Sequence, residues 1–292
     1  HRKSNTLFKN DIGKRLLMIQ KPIFSPQTEW LPPESFPDLS KHDEIAIDLE
    51  TKDPELKTMG SGSVTGRGRI VGIALAVDNW SGYYPIAHEG GGNMDEKIVM
   101  DYFRTVLNLP ARKIFHNAMY DVCFIRAAGL KINGEIVDTM IAGSLVDENR
   151  FRYDLGSMGR DYLGRGKNEA VLNETAAIWG VDPKSEMYKL PAMYVGEYAE
   201  RDAEMTLELW QEMKKEIYAQ DIEDIFNLET ELFPCLVDMR FLGVRVDIEA
   251  ANQLKQKLLT EEKECLQKVK KETSIDIQIW AARSIAQVFE KL

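Results

Sequence analysis

Two acidic side chains at the end of an apolar segment are the strongest chemical signal in this sequence. Asp48 and Glu50 lie in the segment 44–51, which reads Glu-Ile-Ala-Ile-Asp-Leu-Glu-Thr. This alternation predicts a β-strand, and side chains two residues apart on a strand point to the same face. The two carboxylates would therefore repel each other, and a bound cation would relieve the repulsion. Acidic residues also end many strands as solvated turn formers, so the pair alone leaves both interpretations open.

The composition limits the class of protein. The chain has 292 residues, of which 44% are hydrophobic and 29% charged, as in ordinary soluble proteins. The longest apolar run, 70–77, is too short to cross a bilayer, and no apolar signal core follows the N-terminus. We therefore expect no membrane partner and a cytoplasmic location. The three scattered cysteines favour a reducing compartment over a disulfide framework or a zinc site.

The net charge of −10 argues against a general electrostatic attraction to nucleic acid. It is compatible with a nucleic-acid enzyme whose acidic pocket is neutralised by divalent metal.

The predicted elements change character along the chain. The prolines between residues 22 and 37 predict an extended arm or linker, and the glycine-rich stretch 60–68 predicts a loop. Predicted strands lie at 44–49, 70–77, 81–87, 112–116 and 135–137. Predicted helices lie at 95–107, 120–128, from 139 onward, 192–218, 221–240 and 248–272, the last with Asp247 as N-cap. Alternating strands and helices followed by helices alone indicate a layered α/β domain and then a helical segment, with a candidate boundary near 225–240.

Three further polar residues could complete a site with the first pair. Asp121 follows the fourth predicted strand in the first turn of a helix, near the sheet edge where α/β proteins collect their sites. Tyr198 and Asp202 are four residues apart in a long predicted helix and therefore lie on one of its faces. A phenol and a carboxylate at that spacing can both contact the same bound atom or ion.

Each of these residues also has a simpler explanation. Asp121 could be a first-turn acid favoured by the helix dipole, and Tyr198 could be a core tyrosine. Asp202 could be a solvated helix acid, and Asn117 could cap the following helix. We interpret Asp138 as a helix cap rather than a ligand. It is the combination of these residues, in this order, that favours chemistry.

The combination resembles a known enzyme family. Asp48-x-Glu50, Asn117-x-x-Tyr120-Asp121 and Tyr198-x-x-x-Asp202 resemble the three motifs of the DEDDy 3′–5′ exonucleases. The surrounding residues are similar to one branch, the proofreading domain of family A (DNA polymerase I-like) enzymes. Segments that match this branch lie at 47–51, 116–117, 138–140 and 198–206. The likeness covers about 43–218, and it is closest to bacteriophage enzymes. Segments that resemble parts of the polymerase thumb lie at 231–247 and 280–292.

The resemblance implies a fold and a domain organisation. It implies an α/β, RNase H-like, three-layer exonuclease domain with a mixed five-stranded sheet. We expect an N-terminal arm at 1–42, the exonuclease domain at 43–220, and a helical, incomplete thumb-like segment at 221–292. The polymerase palm and fingers are expected outside this chain. Because the chain does not begin with Met, His1 is not expected to be the native start. The implied partners are the single-stranded 3′ end of DNA and the remainder of the polymerase, in a bacterial or phage-infected cell.

The same resemblance implies a mechanism that uses two divalent metal ions, Mg²⁺ or Mn²⁺. Asp48 would bridge both metals, Glu50 and Asp202 would complete the first metal site, and Asp121 would hold the second metal. Four carboxylates are suitable donors, because hard divalent cations prefer oxygen ligands. Tyr198, together with Glu50, would orient the water that attacks the terminal phosphodiester and releases a nucleoside monophosphate.

Substrate contacts are implied at three further positions. Thr51 and Asn117 match family positions that contact the terminal nucleotide, and Arg152 matches an arginine near the substrate phosphate. An exposed loop arginine explains Arg152 equally well. An apolar wedge against the terminal base is expected shortly after Glu50, where only Pro54 or Leu56 could serve.

Two other functions compete with this interpretation. An RNase D-like exoribonuclease would carry the same motifs, but the thumb-like C-terminal segment argues against it. A catalytically silent, exonuclease-like scaffold of a polymerase would not need the four carboxylates and the tyrosine, all of which are present.

Overall fold

A computed structural model describes residues 27–292, which form two compact units that divide between Phe241 and Leu242. The strands of the first unit are β1 (Glu44–Lys52), β2 (Arg69–Val77), β3 (Trp80–Pro85), β4 (Arg112–Phe115) and β5 (Ile136–Asp138). Its helices are α1 (Leu56–Met59), α2 (Gly62–Thr65), α3 (Glu96–Asn108), α4 (Ala118–Ala127), α5 (Thr139–Val146), α6 (Leu155–Leu163), α7 (Ala170–Trp179), α8 (Gly196–Ala219) and α9 (Glu223–Leu242). Two 3₁₀ turns, Met187–Lys189 and Ala192–Tyr194, precede α8.

The five strands form one mixed sheet in the order β3-β2-β1-β4-β5. Strand β1 is antiparallel to β2 and β2 to β3, whereas β1 is parallel to β4 and β4 to β5. The predicted mixed five-stranded sheet is therefore confirmed. Because β1 and β4 run in the same direction, the residues that follow them meet at one edge of the sheet, as sites in α/β proteins do.

The alternation in β1 separates the two faces of the sheet. Ile45, Ile47 and Leu49 join a core that includes Phe103 of α3 and Phe124 of α4. On the opposite face, alanines of the sheet pack against alanines of α8, and these residues are Ala46, Ala74, Ala76, Ala199 and Ala203. Short side chains on both surfaces let α8 approach the sheet closely. The result is the expected three-layer arrangement, with α3 and α4 on one face and α8 on the other.

Acidic caps start several helices, as the sequence predicts. Asp138 caps α5 by accepting a hydrogen bond from the Met140 amide at 2.8 Å, which confirms its structural interpretation. Asp247 caps the first helix of the second unit and accepts from the Ala250 amide at 2.9 Å. A side-chain oxygen at this position satisfies an amide that the helix itself cannot pair.

The glycine-rich stretch 60–68, predicted as a loop, instead contains a helical turn, α2. Both carboxylate oxygens of Asp53 accept from the Gly62 amide at 3.1 Å and hold this turn against the end of β1. A Cβ at Gly62 would lie 2.5 Å from the backbone nitrogen of Gly68, so only glycine fits there. The prediction was wrong because the ordering contact comes from a residue outside the stretch.

The N-terminal arm lies against the first unit where the structure describes it. Residues 1–26 are outside the described part, and residues 27–43 contain no helix or strand, as expected for this proline-rich segment. Phe36 stacks on Tyr84 of β3 with the ring centroids 5.3 Å apart. The Tyr84 hydroxyl donates to the Ser35 carbonyl at 3.2 Å. This part of the arm is therefore docked on the sheet.

The second unit consists of two helices, α10 (Ile248–Thr273) and α11 (Ala282–Lys291). Helix α10 ends at Ser274, which adopts a left-handed backbone conformation with φ 60°. None of the helices in residues 27–292 combines the length and apolarity that a bilayer-spanning helix needs.

Candidate active site

Asp121 is fixed beside the first acidic pair by a backbone hydrogen bond. Strand β4 pairs with β1 only as far as Ala46, which leaves the Leu49 amide free for a side chain. The Asp121 carboxylate, which is buried in the first turn of α4, accepts from this amide at 3.0 Å. Leu49 lies between Asp48 and Glu50, so the structure brings these three carboxylates together at the sheet edge.

Helix α8 supplies the remaining two residues from across the sheet. Tyr198 and Asp202 lie on the helix face that carries the alanines facing the sheet, and Asp202 is only 2% exposed. One oxygen of Asp202, Oδ2, accepts from the Lys167 ammonium. The other, Oδ1, is buried and has no hydrogen-bond partner among the described residues. An unpaired buried carboxylate oxygen is costly, which marks it as a candidate ligand atom.

Burial and mutual repulsion raise the pKa values of the acidic side chains. Burial and the Asp202 charge raise the pKa of Asp48 to about 7, from its ordinary value of 3.8. Burial and the charges of Asp48 and Asp202 raise the pKa of Glu50 well above its usual range. Burial and the Asp48 charge do the same to the pKa of Asp121. Burial also raises the pKa of Asp202, although Lys167 opposes this shift. The carboxylates therefore face a common space in which positive charge is favoured.

This donor set fits divalent cations. All its ligand atoms are carboxylate oxygens, the donors that Mg²⁺ and Mn²⁺ prefer, and Asp202 Oδ1 is free to coordinate. The residues that would hold the cations are Asp48, Glu50, Asp121 and Asp202. Within residues 27–292, no group of three Asp, Glu, His or Cys side chains is already arranged to hold a metal ion. One of the four carboxylates, Asp202, is instead paired with the Lys167 ammonium.

Tyr198 stays protonated at neutral pH. Burial and the charges of Asp202, Glu50 and Asp48 hold the pKa of its phenol well above the usual range. It therefore presents a neutral hydroxyl to the site, which can orient a water molecule by donating or accepting a hydrogen bond.

Two of the three predicted substrate-contacting residues adjoin the acidic residues along the chain, since Thr51 follows Glu50 and Asn117 precedes α4, which carries Asp121. Thr51 Oγ1 hydrogen-bonds to the Tyr120 hydroxyl at 2.7 Å, and this hydroxyl donates to Asp53 at 3.2 Å. Asn117 is exposed and left-handed, with φ 64°, and its side chain makes no capping hydrogen bond. Its backbone amide donates to Asp138 at 2.9 Å. The Asn117 side chain is thus free for another contact, and the simple capping interpretation does not apply to it.

The predicted phosphate contact, Arg152, and the predicted apolar wedge, Pro54 or Leu56, make no contact with the carboxylates that the structure describes. Arg152 is exposed, and no hydrogen bond or ion pair within residues 27–292 connects it to the carboxylates. Leu56, at the start of α1, is 42% exposed, as a wedge would need to be, and Pro54 is exposed as well. The roles of these residues stay predictions.

Sequence reasoning missed Lys167, which touches both residues of the third motif. Its ammonium pairs with Asp202 and donates to the Tyr198 hydroxyl at 3.1 Å. It lies in the polar segment between α6 and α7, which has no periodic pattern to single it out.

Sequence reasoning also missed a buried support below Glu50. Gly72 of β2 is paired with Glu50. The Tyr83 phenol lies directly over Gly72, so that a Cβ at Gly72 would be 2.0 Å from the Tyr83 oxygen. His88 Nδ1 must donate to the Leu190 carbonyl at 3.0 Å, so its Nε2 accepts from Tyr83 at 2.6 Å. Burial lowers the pKa of His88 to about 4 and keeps it neutral. The interruption of the apolar run 70–77 by glycine was the available signal.

The family is decided by a match over most of the chain. A family model of the DNA polymerase A exonuclease domain, described as 3′–5′ exonuclease, matches residues 25–218. The chain belongs to this 3′–5′ exonuclease family. It is an exonuclease-type enzyme domain, and members of the family generally use divalent metal ions.

The relatives of this exonuclease-family chain are polymerases of phages and bacteria. A DNA-directed DNA polymerase of Pseudomonas phage M6 is 33% identical over 287 residues, which cover 94% of this chain and 43% of the relative. DNA polymerase DpoZ of Salmonella phage PMBT28 is 28% identical, over 75% of this chain and 34% of the relative. DNA polymerase I of Chloroflexus aurantiacus is 25% identical, over 63% of this chain and 20% of the relative. The chain thus spans less than half the length of these relatives.

Solved structures show the same fold at low sequence identity. The POL domain of Pol1 from M. smegmatis, in complex with DNA primer-template and dNTP, matches with a TM-score of 0.56 and 15% identity, over 87% of this chain and 38% of that chain. Brucella melitensis NrnC with bound Mg²⁺ matches with a TM-score of 0.51 and 17% identity, over 72% of this chain and 92% of that chain. Both similarities support the predicted RNase H-like α/β fold and concern the fold alone.

Proposed function

We propose that this chain is a 3′–5′ exonuclease that uses two divalent metal ions, Mg²⁺ or Mn²⁺, to remove 3′-terminal nucleotides from DNA as nucleoside monophosphates. The observation that carries this proposal is the convergence of four carboxylates and a neutral tyrosine from β1, α4 and α8 on one space. Burial and mutual repulsion both disfavour the charged forms of these carboxylates, and a bound cation would relieve both effects.

Each residue has a distinct role in the proposed reaction. Two bound cations would polarise the scissile phosphodiester and lower the pKa of the attacking water. Asp48, whose charge acts on both Glu50 and Asp121, would contribute to both cation sites. Glu50 and Asp202 would complete one cation site and Asp121 the other. The neutral Tyr198 hydroxyl and the Glu50 carboxylate would hold the attacking water in line with the terminal phosphate.

The substrate residues surround this centre in the proposal. Thr51, held by Tyr120, and Asn117, whose side chain is not used for capping, would contact the terminal nucleotide. Arg152 would contact the phosphate beyond it.

DNA is the proposed substrate because the relatives are named DNA polymerases. On the same basis, the chain would be the proofreading module of a longer polymerase inside a bacterial or phage-infected cell. Residues 43–220 would form the exonuclease domain and residues 221–292 the start of a thumb. The remainder of the polymerase would be its partner.

The test is digestion of a 5′-labelled single-stranded DNA by the 292-residue chain in Mg²⁺, with an RNA of the same sequence alongside. We expect stepwise shortening from the 3′ end, release of nucleoside monophosphates, and faster release from DNA. Asp48→Ala should lower the rate by at least about 100-fold, because it removes a proposed ligand of both cations. Asp78→Ala, an exposed acid in the turn between β2 and β3, is the matched control.

Two results would contradict the proposal. If Asp48→Ala retained the wild-type rate, the carboxylate site would not be the source of activity. If the wild-type chain shortened RNA and not DNA, the substrate assignment would be wrong.

A further inference from the structure

Lys167 lies inside the carboxylate cluster rather than at its surface. Its ammonium pairs with Asp202 Oδ2 and donates to the Tyr198 hydroxyl at 3.1 Å, and it lies 5.2 Å from the centre of the Tyr198 ring. Its side chain is 24% exposed and that of Asp202 only 3%. The pair is therefore shielded from solvent at the Asp202 end, unlike the surface ion pairs of this chain, whose contribution to stability is small.

The same ammonium also acts on the other carboxylates of the cluster. Asp48 and Glu50 both lie close enough to interact with the Lys167 charge. Lysine thus supplies one positive charge at the place where the acidic side chains favour a cation.

A divalent cation bound to Asp202 would meet this ammonium as a like charge. Both seek the same carboxylate, and two positive charges a few ångströms apart repel strongly where solvent is partly excluded. Although the cation could bind Oδ1 while the ammonium contacts Oδ2, this repulsion favours movement of one of them, and the lysine side chain is the flexible partner.

We propose that Lys167 is the built-in counterion of the metal site. Its ammonium neutralises Asp202 and its neighbours when no metal is bound, and it leaves Asp202 when a divalent cation binds. Lys167 therefore stabilises the metal-free protein and lowers the affinity of the site for metal. This inference rests on the proposed function, because that proposal identifies Asp202 as a metal ligand.

The experiment is a calorimetric titration of the full chain with Mn²⁺ at pH 7.5, without nucleic acid. Lys167→Met should bind Mn²⁺ about tenfold more tightly than wild type, because it removes a positive charge that is in contact with a proposed metal ligand. Lys167→Gln, a second neutral variant whose amide can still donate to Asp202, should also bind more tightly. Lys167→Arg keeps the charge and should resemble wild type. Lys97→Met, an exposed lysine on α3, is the matched control.

Thermal denaturation of the same variants gives a second readout. Without metal, Lys167→Met should melt below wild type, because Asp202 loses its partner. With Mn²⁺, its melting temperature should rise by more than that of wild type.

The outcomes separate this inference from the proposed function. If wild type binds Mn²⁺, Asp202→Asn loses binding, and Lys167→Met and Lys167→Gln bind no more tightly than wild type, the counterion role is wrong and the metal site stands. If wild type binds no Mn²⁺, or Asp202→Asn binds it as wild type does, the proposed metal site fails and the counterion role with it.

Discussion

The Asp48 carboxylate lowers the stability of the folded chain and at the same time provides a place for a cation to bind. Its carboxylate is held near Asp202 and Glu50 on the face of the sheet that α8 covers. Without a cation, its charged form is disfavoured by burial and by the neighbouring acids. The carboxylates that would perform the chemistry are thus a source of instability in the metal-free fold.

The pH dependence of stability follows from the raised pKa of Asp48. Because this pKa is about 7 in the folded chain and ordinarily 3.8, the folded state holds the proton more tightly. Protonated Asp48 therefore contributes fully to the free energy of unfolding below pH 3.8. This contribution is lost as the pH rises toward 7, by up to about 1.4 kcal/mol per pH unit. In EDTA, the melting temperature should therefore fall between pH 5 and pH 7.

Thermal denaturation across this range, in EDTA and in Mg²⁺, checks this prediction. Mg²⁺ should flatten the fall by stabilising the ionised carboxylates. Asp48→Asn should have a smaller slope in EDTA. Equal slopes for wild type and Asp48→Asn would show that Asp48 does not titrate in this range.

At the residue scale, sequence reasoning found the acids but not their support. Asp48 with Glu50, and Tyr198 with Asp202, were predictable because strand and helix periodicity fix which side chains share a face. Lys167 was not, because it contacts Tyr198 from 31 positions earlier in the chain, through a segment without periodicity. Such a contact depends on the fold and leaves no local pattern.

At the element scale, the close approach of α8 to the sheet determines the geometry of the site. The sheet carries alanines and Gly72 on this face, and α8 carries alanines opposite them. A larger side chain at these positions would lift α8 and withdraw Tyr198 and Asp202 from Asp48.

Gly72→Ala should disturb the site without altering any proposed ligand. Its Cβ would lie 2.0 Å from the Tyr83 oxygen, so the Tyr83 ring, which lies over the residue paired with Glu50, must move. Overpacking of this kind costs about 1–3 kcal/mol of stability. We expect a lower free energy of unfolding in urea and a lower exonuclease rate.

Gly156→Ala is the control for this prediction. A Cβ there would have its nearest neighbour at 3.4 Å, which is ordinary contact, and the residue is helical. If Gly72→Ala unfolded and cleaved as Gly156→Ala does, the Tyr83 support would not matter for the site.

The elements themselves were largely predictable. All five strands and the long helices followed from alternation, helical periodicity and acidic caps. The turn α2 was missed because Asp53, outside the glycine-rich stretch, holds it. Helix α4 starts at Ala118 rather than Tyr120, because the Asp138 carboxylate accepts from the Ala118 amide at 2.8 Å.

At the scale of the whole molecule, the first compact unit extends beyond the predicted domain end at residue 220. Phe226, Phe233 and Val237 of α9 are buried in its two cores. Helix α9 thus packs with the first unit, although its sequence resembles the start of a thumb. The assignment of residues 221–292 to a thumb stays a prediction.

Two truncated chains test this packing. Residues 1–241 should keep exonuclease activity and a cooperative unfolding transition. Residues 1–220 should be far less stable, because each buried aromatic side chain that is lost costs about 3–5 kcal/mol. Thermal denaturation of both chains measures the difference, and equal melting temperatures would show that α9 contributes nothing to the first unit.

The four carboxylates are proposed to act together as one metal centre. The most direct measurement is a crystal structure of the chain soaked with Mn²⁺ and a nucleoside monophosphate, with the metals located by anomalous scattering. We predict two Mn²⁺ ions roughly 3.5–4 Å apart, held by Asp48, Glu50, Asp121 and Asp202, with the Lys167 ammonium displaced from Asp202. Nucleotide bound at this edge with no Mn²⁺ among these carboxylates would contradict the account.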